Sequence, residues 1–158
     1  MILIEYEIRI SNIGKSNFDT ILSILNSCPY FEKLIIDETE TYYSSNIRFN
    51  NRTNQLQSKI KLFIIDESYH NFNIRFCKSK EETIHQNINS YTAKFTRQKH
   101  RIRFIHKHWH IDLTHVINNN TYELEIEIDN NYGNTHSTSF IHKILTNELK
   151  NLLTWANL

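Results

Sequence analysis

Apolar and polar residues alternate through most of the chain. Residues 2–10, ILIEYEIRI, put Ile2, Ile4, Tyr6, Ile8 and Ile10 on one face and Glu5, Glu7 and Arg9 on the other, the period of two that marks a strand. The same pattern predicts strands over 32–37, 39–49, 57–66, 71–78, 91–105, 109–117 and 121–129. Turns rich in Asn and Ser separate them at 50–54, 67–70, 118–120 and 130–137. Two stretches have helical spacing instead. In 16–28, Ser16 or Asn17 is the expected cap, and Phe18, Ile21, Leu22 and Leu25 share a side before Pro29. From about Ser137, Ile141, Ile144, Leu145, Leu149, Leu152 and Leu153 form a second stripe. Many consecutive strands with few helices predict a mainly β (α+β) fold. The expected form is a closed antiparallel β-barrel with flanking helices outside it, one of them C-terminal. Trp109 and Trp155 are read as core or barrel-to-helix packing.

At 158 residues the chain is expected to be one domain spanning 1–158. A net charge of +1 gives no bulk attraction for polyanions, so any phosphate affinity must come from local clusters. Gly14 and Gly133 are the two glycines and stand far apart, which excludes a glycine-rich phosphate loop and leaves side chains to hold any phosphate. Cys28 and Cys77 lack metal or redox spacing and read as free thiols of a reducing compartment. No apolar run has the length of a membrane span, and Glu5 and Glu7 fall where a signal peptide would be apolar. A soluble, intracellular protein without membrane association is expected.

The polar strand faces carry the chemistry. Glu5 and Glu7 share a face, about 7 Å apart by strand rise. In 121–129, TYELEIEID, Glu123, Glu125 and Glu127 project to one side and Tyr122, Leu124, Ile126 and Ile128 to the other. Stacked carboxylates on a solvated face are only a wet strand face. In a barrel lumen their repulsion demands a counter-charge, and a hard divalent cation such as Mg²⁺ or Mn²⁺ suits an all-oxygen site. The complement is 96–104, TRQKHRIRF, which aligns Arg97, Lys99, Arg101 and Arg103. Across a lumen those cations would be satisfied by the glutamates and could still grip phosphate oxygens. Lys59 and Lys61 repeat the arrangement on a further strand. Arg75 and Arg48 are isolated basics, and Arg48 is read as a surface residue of an edge strand.

In order along the chain, these segments resemble the fungal- and viral-type RNA 5′-triphosphatases of the triphosphate tunnel metalloenzyme superfamily. IEYEIR looks like their first glutamate motif, RQKHR (97–101) like the R-x-K-x-R strand, WHIDLT (109–114) like the segment that follows it, and YELEIEID (122–129) like the second glutamate motif. NIRFCKSKEE (73–82) is a looser match to a strand with a phosphate-binding arginine. His115 departs from a common Lys, and Arg103 from a common small residue. The resemblance implies metal-dependent hydrolysis of the γ-phosphate of triphosphate-ended RNA, the first step of mRNA capping. It implies Glu5, Glu7 and Glu127 as metal ligands, with Glu125 a further candidate. Glu123 and Glu125 would orient the attacking water, and Arg75, Lys99 and Arg101 would hold phosphate. Arg97 would stand between phosphate contact and support, Lys59 and Lys61 would be further phosphate contacts, and Arg9, Arg103 and Asp112 would support their neighbours. A separate guanylyltransferase chain is the expected partner, in the nucleus of a cellular eukaryote or in the host cytoplasm or virion of a virus. Monomer and homodimer both stay open.

Three other readings compete. An inorganic or thiamine triphosphatase, or a nucleotide cyclase, would share the fold, although those relatives carry ExExK where this chain has Arg9. A capping-complex subunit without catalysis is the non-enzymatic reading. A zinc site at His106, His108 and His110 is disfavoured, because the three straddle an expected hairpin turn.

Overall fold

A computed structural model describes all of residues 1–158. Eight strands, β1 (Ile2–Ile10), β2 (Glu32–Tyr43), β3 (Ile47–Asn50), β4 (Gln55–Tyr69), β5 (Phe72–Ile84), β6 (Ala93–Ile105), β7 (Trp109–Val116) and β8 (Thr121–Ile128), close into one barrel. Around the barrel the order is β1-β5-β4-β3-β2-β6-β7-β8 with every neighbouring pair antiparallel, and β8 returns to β1. Closure removes the free edges that a long open sheet would expose. Three helices accompany it: α1 (Lys15–Ser27), the one-turn α2 (Asn130–Gly133) and α3 (Thr138–Trp155).

The barrel is inside out relative to an ordinary small one. Its hydrophobic core lies outside the lumen, between the wall and the helices. Tyr6, Ile8 and Ile10 of β1, Ile74 and Phe76 of β5, Phe104 of β6, Leu113 of β7, and Leu124 and Ile126 of β8 meet Phe18, Ile21 and Leu25 of α1 and Ile141, Leu145 and Leu149 of α3. Because strand side chains alternate, burying these positions outward turns the intervening glutamates, lysines and arginines inward.

Several boundaries differ from the sequence pattern. The run 39–49 is not one strand: β2 extends from Glu32 to Tyr43, and a turn with Ser45 and Asn46 at φ 64° and 60° precedes β3. Left-handed Asn is the device of tight turns without glycine, so no Gly or Pro announces it. β5 reaches Ile84, six residues past the expected end at 78. The segment 130–137 holds the turn of α2, capped by the Asp129 side chain accepting from Asn131 N–H. Helix α1 begins at Lys15 after Gly14, whose φ is 77°; neither Ser16 nor Asn17 caps it. Trp109 packs against the core, but Trp155 is 60% exposed. It falls off the stripe formed by Ile141, Leu145, Leu149, Leu152 and Ala156.

Candidate active site

The lumen is a cavity of about 620 Å³ lined by 25 residues, of which eight are glutamates and nine are lysines or arginines. Four strands supply the acids: Glu5 and Glu7 from β1, Glu38 and Glu40 from β2, Glu81 from β5, and Glu123, Glu125 and Glu127 from β8. The cations come mainly from β6, with Arg97, Lys99, Arg101 and Arg103, joined by Arg48 of β3, Lys59 and Lys61 of β4 and Arg9 of β1. Near-equal numbers of opposite charge are what allow so many ionised groups inside one barrel.

Register explains the acid cluster. In the β1–β8 ladder Glu7 stands directly opposite Glu127, and Arg9 opposite Glu125. Facing carboxylates in a cross-strand pair repel. Burial, followed by the neighbouring Glu127 charge, pushes Glu5 up to about 7, although Lys59 acts against the rise. Burial and the Glu7 charge push Glu125 up to about 7 in the same way. Glu7 is also raised, chiefly by burial. Burial works against the ionised form of Glu127 too, yet His110, whose Nε2 lies 3.3 Å from the carboxylate, holds it below its ordinary value.

The cations are distributed over these acids. Lys59 Nζ donates to Glu5 at 2.6 Å and Glu7 at 3.1 Å and lies 3.5 Å from Glu81. Arg48 donates to Glu81, and its other terminal nitrogen is 3.7 Å from Glu40. Lys99, buried, donates to Glu40. Burial disfavours the Glu40 anion, but Lys99 and Arg48 outweigh this and hold it at about 2. Burial pulls the Lys99 ammonium below its ordinary value despite Glu40, with Arg101 and Arg97 alongside adding to the effect. Arg97 reaches over β7 to Glu123. Arg101 lies 3.2 Å from Glu38 and 3.5 Å from Asp112, and donates to Thr114 Oγ1. Asp112, 1% exposed, sits beneath the lumen surface and holds Arg103 through two hydrogen bonds of 2.8 Å.

Twelve of the residues singled out in the sequence therefore line one cavity: Glu5, Glu7, Arg9, Lys59, Lys61, Arg97, Lys99, Arg101, Arg103, Glu123, Glu125 and Glu127. Arg75 does not. It keeps the lumen phase but lies beyond the cavity, near the start of β5, where Asp66 takes its guanidinium in two hydrogen bonds of 2.7 and 2.9 Å. Arg48, expected at the surface of an edge strand, lines the cavity instead. Glu38, Glu40 and Glu81 were also missed. The available signal was DETETYY, a third alternating glutamate run, obscured by dividing that strand at residue 38; Glu81 lay beyond the expected end of its strand. His106 stacks on Trp109 and His108 against Tyr132, while His110 faces the lumen acids. The three do not converge.

The donor set fits a hard divalent cation. Glu5 and Glu7 are buried and Glu125 and Glu127 half-buried oxygen donors, and a directly facing like-charged pair lies among them. No three of the lumen carboxylates converge on a ready coordination sphere, and Lys59 is hydrogen-bonded to both Glu5 and Glu7.

A closed barrel with a charge-balanced cage of glutamates, lysines and arginines in its lumen, and a hydrophobic core outside it, defines a triphosphate tunnel protein. The model of the family described as mRNA capping enzyme, beta chain, the mRNA triphosphatases, matches residues 56–153, and the chain belongs to that family. Its members hydrolyse phosphoric anhydrides. Among solved structures, the chain is similar to the Schizosaccharomyces pombe Pct1 RNA triphosphatase in complex with the Spt5 CTD: 16% identity, TM-score 0.70, covering 96% of this chain and 84% of that one. It is also similar to the Mimivirus capping enzyme triphosphatase: 17% identity, TM-score 0.65, covering 96% and 88%. The PH1012 protein from Pyrococcus horikoshii OT3 shares the fold at 13% identity and TM-score 0.57, covering 94% and 89%. No curated protein sequence matches significantly.

Proposed function

We propose that this chain removes the γ-phosphate from triphosphate-ended RNA, leaving a diphosphate end for cap addition. The observation that carries the reading is the convergence of the β1 and β8 glutamates with Arg48, Lys99 and Arg101 in one closed lumen. Hydrolysing an anhydride of this kind asks for positioned charge rather than a protein nucleophile. Arg48, Lys99 and Arg101 come from two strands and would grip non-bridging phosphate oxygens, exchanging part of their present carboxylate contacts for phosphate. Lys59 and Lys61 would add contacts along the lumen. Arg97 keeps Glu123 oriented, and Asp112 fixes Arg103 and steadies Arg101. Glu123 and Glu125 would orient the attacking water.

Triphosphatases of this family are generally metal-dependent. In this chain Glu5, Glu7, Glu125 and Glu127 would hold Mg²⁺ or Mn²⁺, which when bound would neutralise charge on the γ-phosphate. Cap formation also requires guanylyl transfer, and we assign that step to a separate partner chain. The acting compartment would follow from the capping machinery: the nucleus of a cellular host or the cytoplasm of an infected one. No helix is long and apolar enough to cross a membrane.

A phosphate-release assay tests this directly, with triphosphate-ended RNA, ATP and inorganic tripolyphosphate, each with Mg²⁺ or Mn²⁺ and again with EDTA. RNA ends should be hydrolysed only with metal, and Glu127→Gln or Glu5→Gln should lower the rate by about 100-fold or more at unchanged fold. Hydrolysis of tripolyphosphate without hydrolysis of RNA ends would overturn the RNA reading and leave a tunnel phosphohydrolase of smaller substrates.

A further inference from the structure

One end of the lumen breaks the charged pattern. Four of the 25 lining residues are hydrophobic, and three of these, Tyr42, Tyr43 and Phe95, are aromatics gathered where β2 ends and β6 begins. Tyr42 and Phe95 are directly opposite in the β2–β6 ladder. Their rings stack with centroids 4.7 Å apart and planes 12° apart. Tyr42 is fixed from below, because its hydroxyl donates to Glu40, itself held by Lys99. Phe95 is fixed by Tyr42 on one face, yet it remains 54% exposed. Lys94, also exposed, lines the same rim beside Ser45 and Asn46 of the β2–β3 turn.

A half-exposed Phe held rigid at the mouth of a charged cavity is a stacking surface: the ring is already ordered, and burying its open face is favourable. Phe95 stands four residues from Lys99 on the same strand face, about 13 Å by strand rise. A triphosphate held at the lumen cations, followed by its ribose, spans that interval and delivers a base to the rim. Stacking is indifferent to base identity, since every base has a π face. We infer that Phe95, backed by Tyr42, is a nucleobase-stacking platform that seats the 5′-terminal nucleotide of the RNA, with Lys94 placed for the first internucleotide phosphate. The inference rests on the triphosphatase reading and adds a subsite outside the phosphate-binding cage.

The test separates base from phosphate. Wild type and Phe95→Ala are compared for equilibrium binding and for KM, using a triphosphate-ended short RNA and, separately, inorganic tripolyphosphate. Phe95→Ala should weaken RNA binding and raise the RNA KM by about ten-fold or more, leave kcat near wild type, and leave tripolyphosphate unaffected. Phe95→Trp should retain RNA affinity, and its indole fluorescence should be quenched by RNA but not by tripolyphosphate. An unchanged RNA affinity in Phe95→Ala, or an equal loss for both ligands, would overturn the platform. If wild type binds RNA ends without hydrolysing them, the catalytic reading fails while the binding comparison still decides the platform. Phe95 lies at the rim, so Phe95→Ala should keep the wild-type melting temperature, which confirms that the change is local.

Discussion

Arg48 serves carboxylates from two strands, donating to Glu81 and lying 3.7 Å from Glu40. Its guanidinium is largely buried, and both partners are buried with it. Truncating it would leave Glu40 to Lys99 alone and Glu81 to Lys59 at 3.5 Å, a loss bounded by the about 3–5 kcal/mol of a fully broken buried pair. Arg48→Ala should therefore lower the midpoint of chemical unfolding clearly, and should also reduce phosphate release by about 100-fold or more. Arg75 offers the control. Its partner Asp66 is solvent-exposed, and the pair stands outside the cavity. Arg75→Ala should change neither the unfolding midpoint nor kcat/KM for RNA ends measurably; a large loss of activity would return Arg75 to the site. The two arginines sit in identical tetrapeptides, Asn46-Ile47-Arg48-Phe49 and Asn73-Ile74-Arg75-Phe76. Local sequence could not separate them. What separates them is strand order and stagger, which place Arg48 alongside Glu40 and Glu81 and leave Arg75 against Asp66.

At the scale of elements, α3 does more than cover the barrel. Its stripe of Ile141, Leu145, Leu149, Leu152 and Leu153 packs on the outer face of the wall. The inner faces of β1 and β8 carry the proposed metal-binding glutamates. Packing outside thus fixes the alternation inside: a strand that slipped by one residue would bury its glutamates under α3 and turn isoleucines into the lumen. Leu145 and Leu149 are fully buried, so Leu145→Ala or Leu149→Ala should cost about 2–5 kcal/mol, read by denaturant unfolding. Activity at a temperature where the variant is still folded should stay near wild type, because neither side chain touches the lumen. A variant that is stable yet inactive would show that α3 has a direct part in the site. The strand elements themselves were largely evident from alternation. Their ends were not: this chain turns at left-handed Ser45 and Asn46 rather than at Gly or Pro, β2 runs unbroken through Glu38 and Glu40, and β5 continues past 78 to include Glu81.

For the molecule as a whole, closing the barrel concentrates like charge where β8 meets β1. Glu5 and Glu125 are pushed up to about 7 from the ordinary 4.5, first by burial, and Glu7 rises as well. A carboxyl whose folded pKa is raised binds its proton more tightly in the native state. Its contribution to stability is complete below 4.5 and is lost as pH rises through about 7. Glu40, held at about 2, changes its contribution only in more acid solution. In EDTA, the protein should therefore melt at a lower temperature at about pH 8 than at about pH 5, as scanning calorimetry can measure. Adding Mg²⁺ or Mn²⁺ should raise the melting temperature more at the higher pH, because cation and proton compete for the same oxygens. A metal-free melting temperature that climbs between those pH values would contradict the crowded-carboxylate account.

The sequence by itself determined the class of lumen. Period-two alternation assigns a face to each side chain, and ExE, ExExE and the basic run 97–103 each commit several like charges to one face, which only a counter-charge or solvent can relieve. It also determined that no glycine loop would hold phosphate. Tertiary structure alone decided which charges meet. Strand order, stagger and closure are long-range properties, set by how the outer hydrophobic face packs under α1 and α3. They put Glu7 opposite Glu127, brought Arg48 into the cage, left Arg75 outside it, and gathered Tyr42 and Phe95 into one stacked pair at the rim.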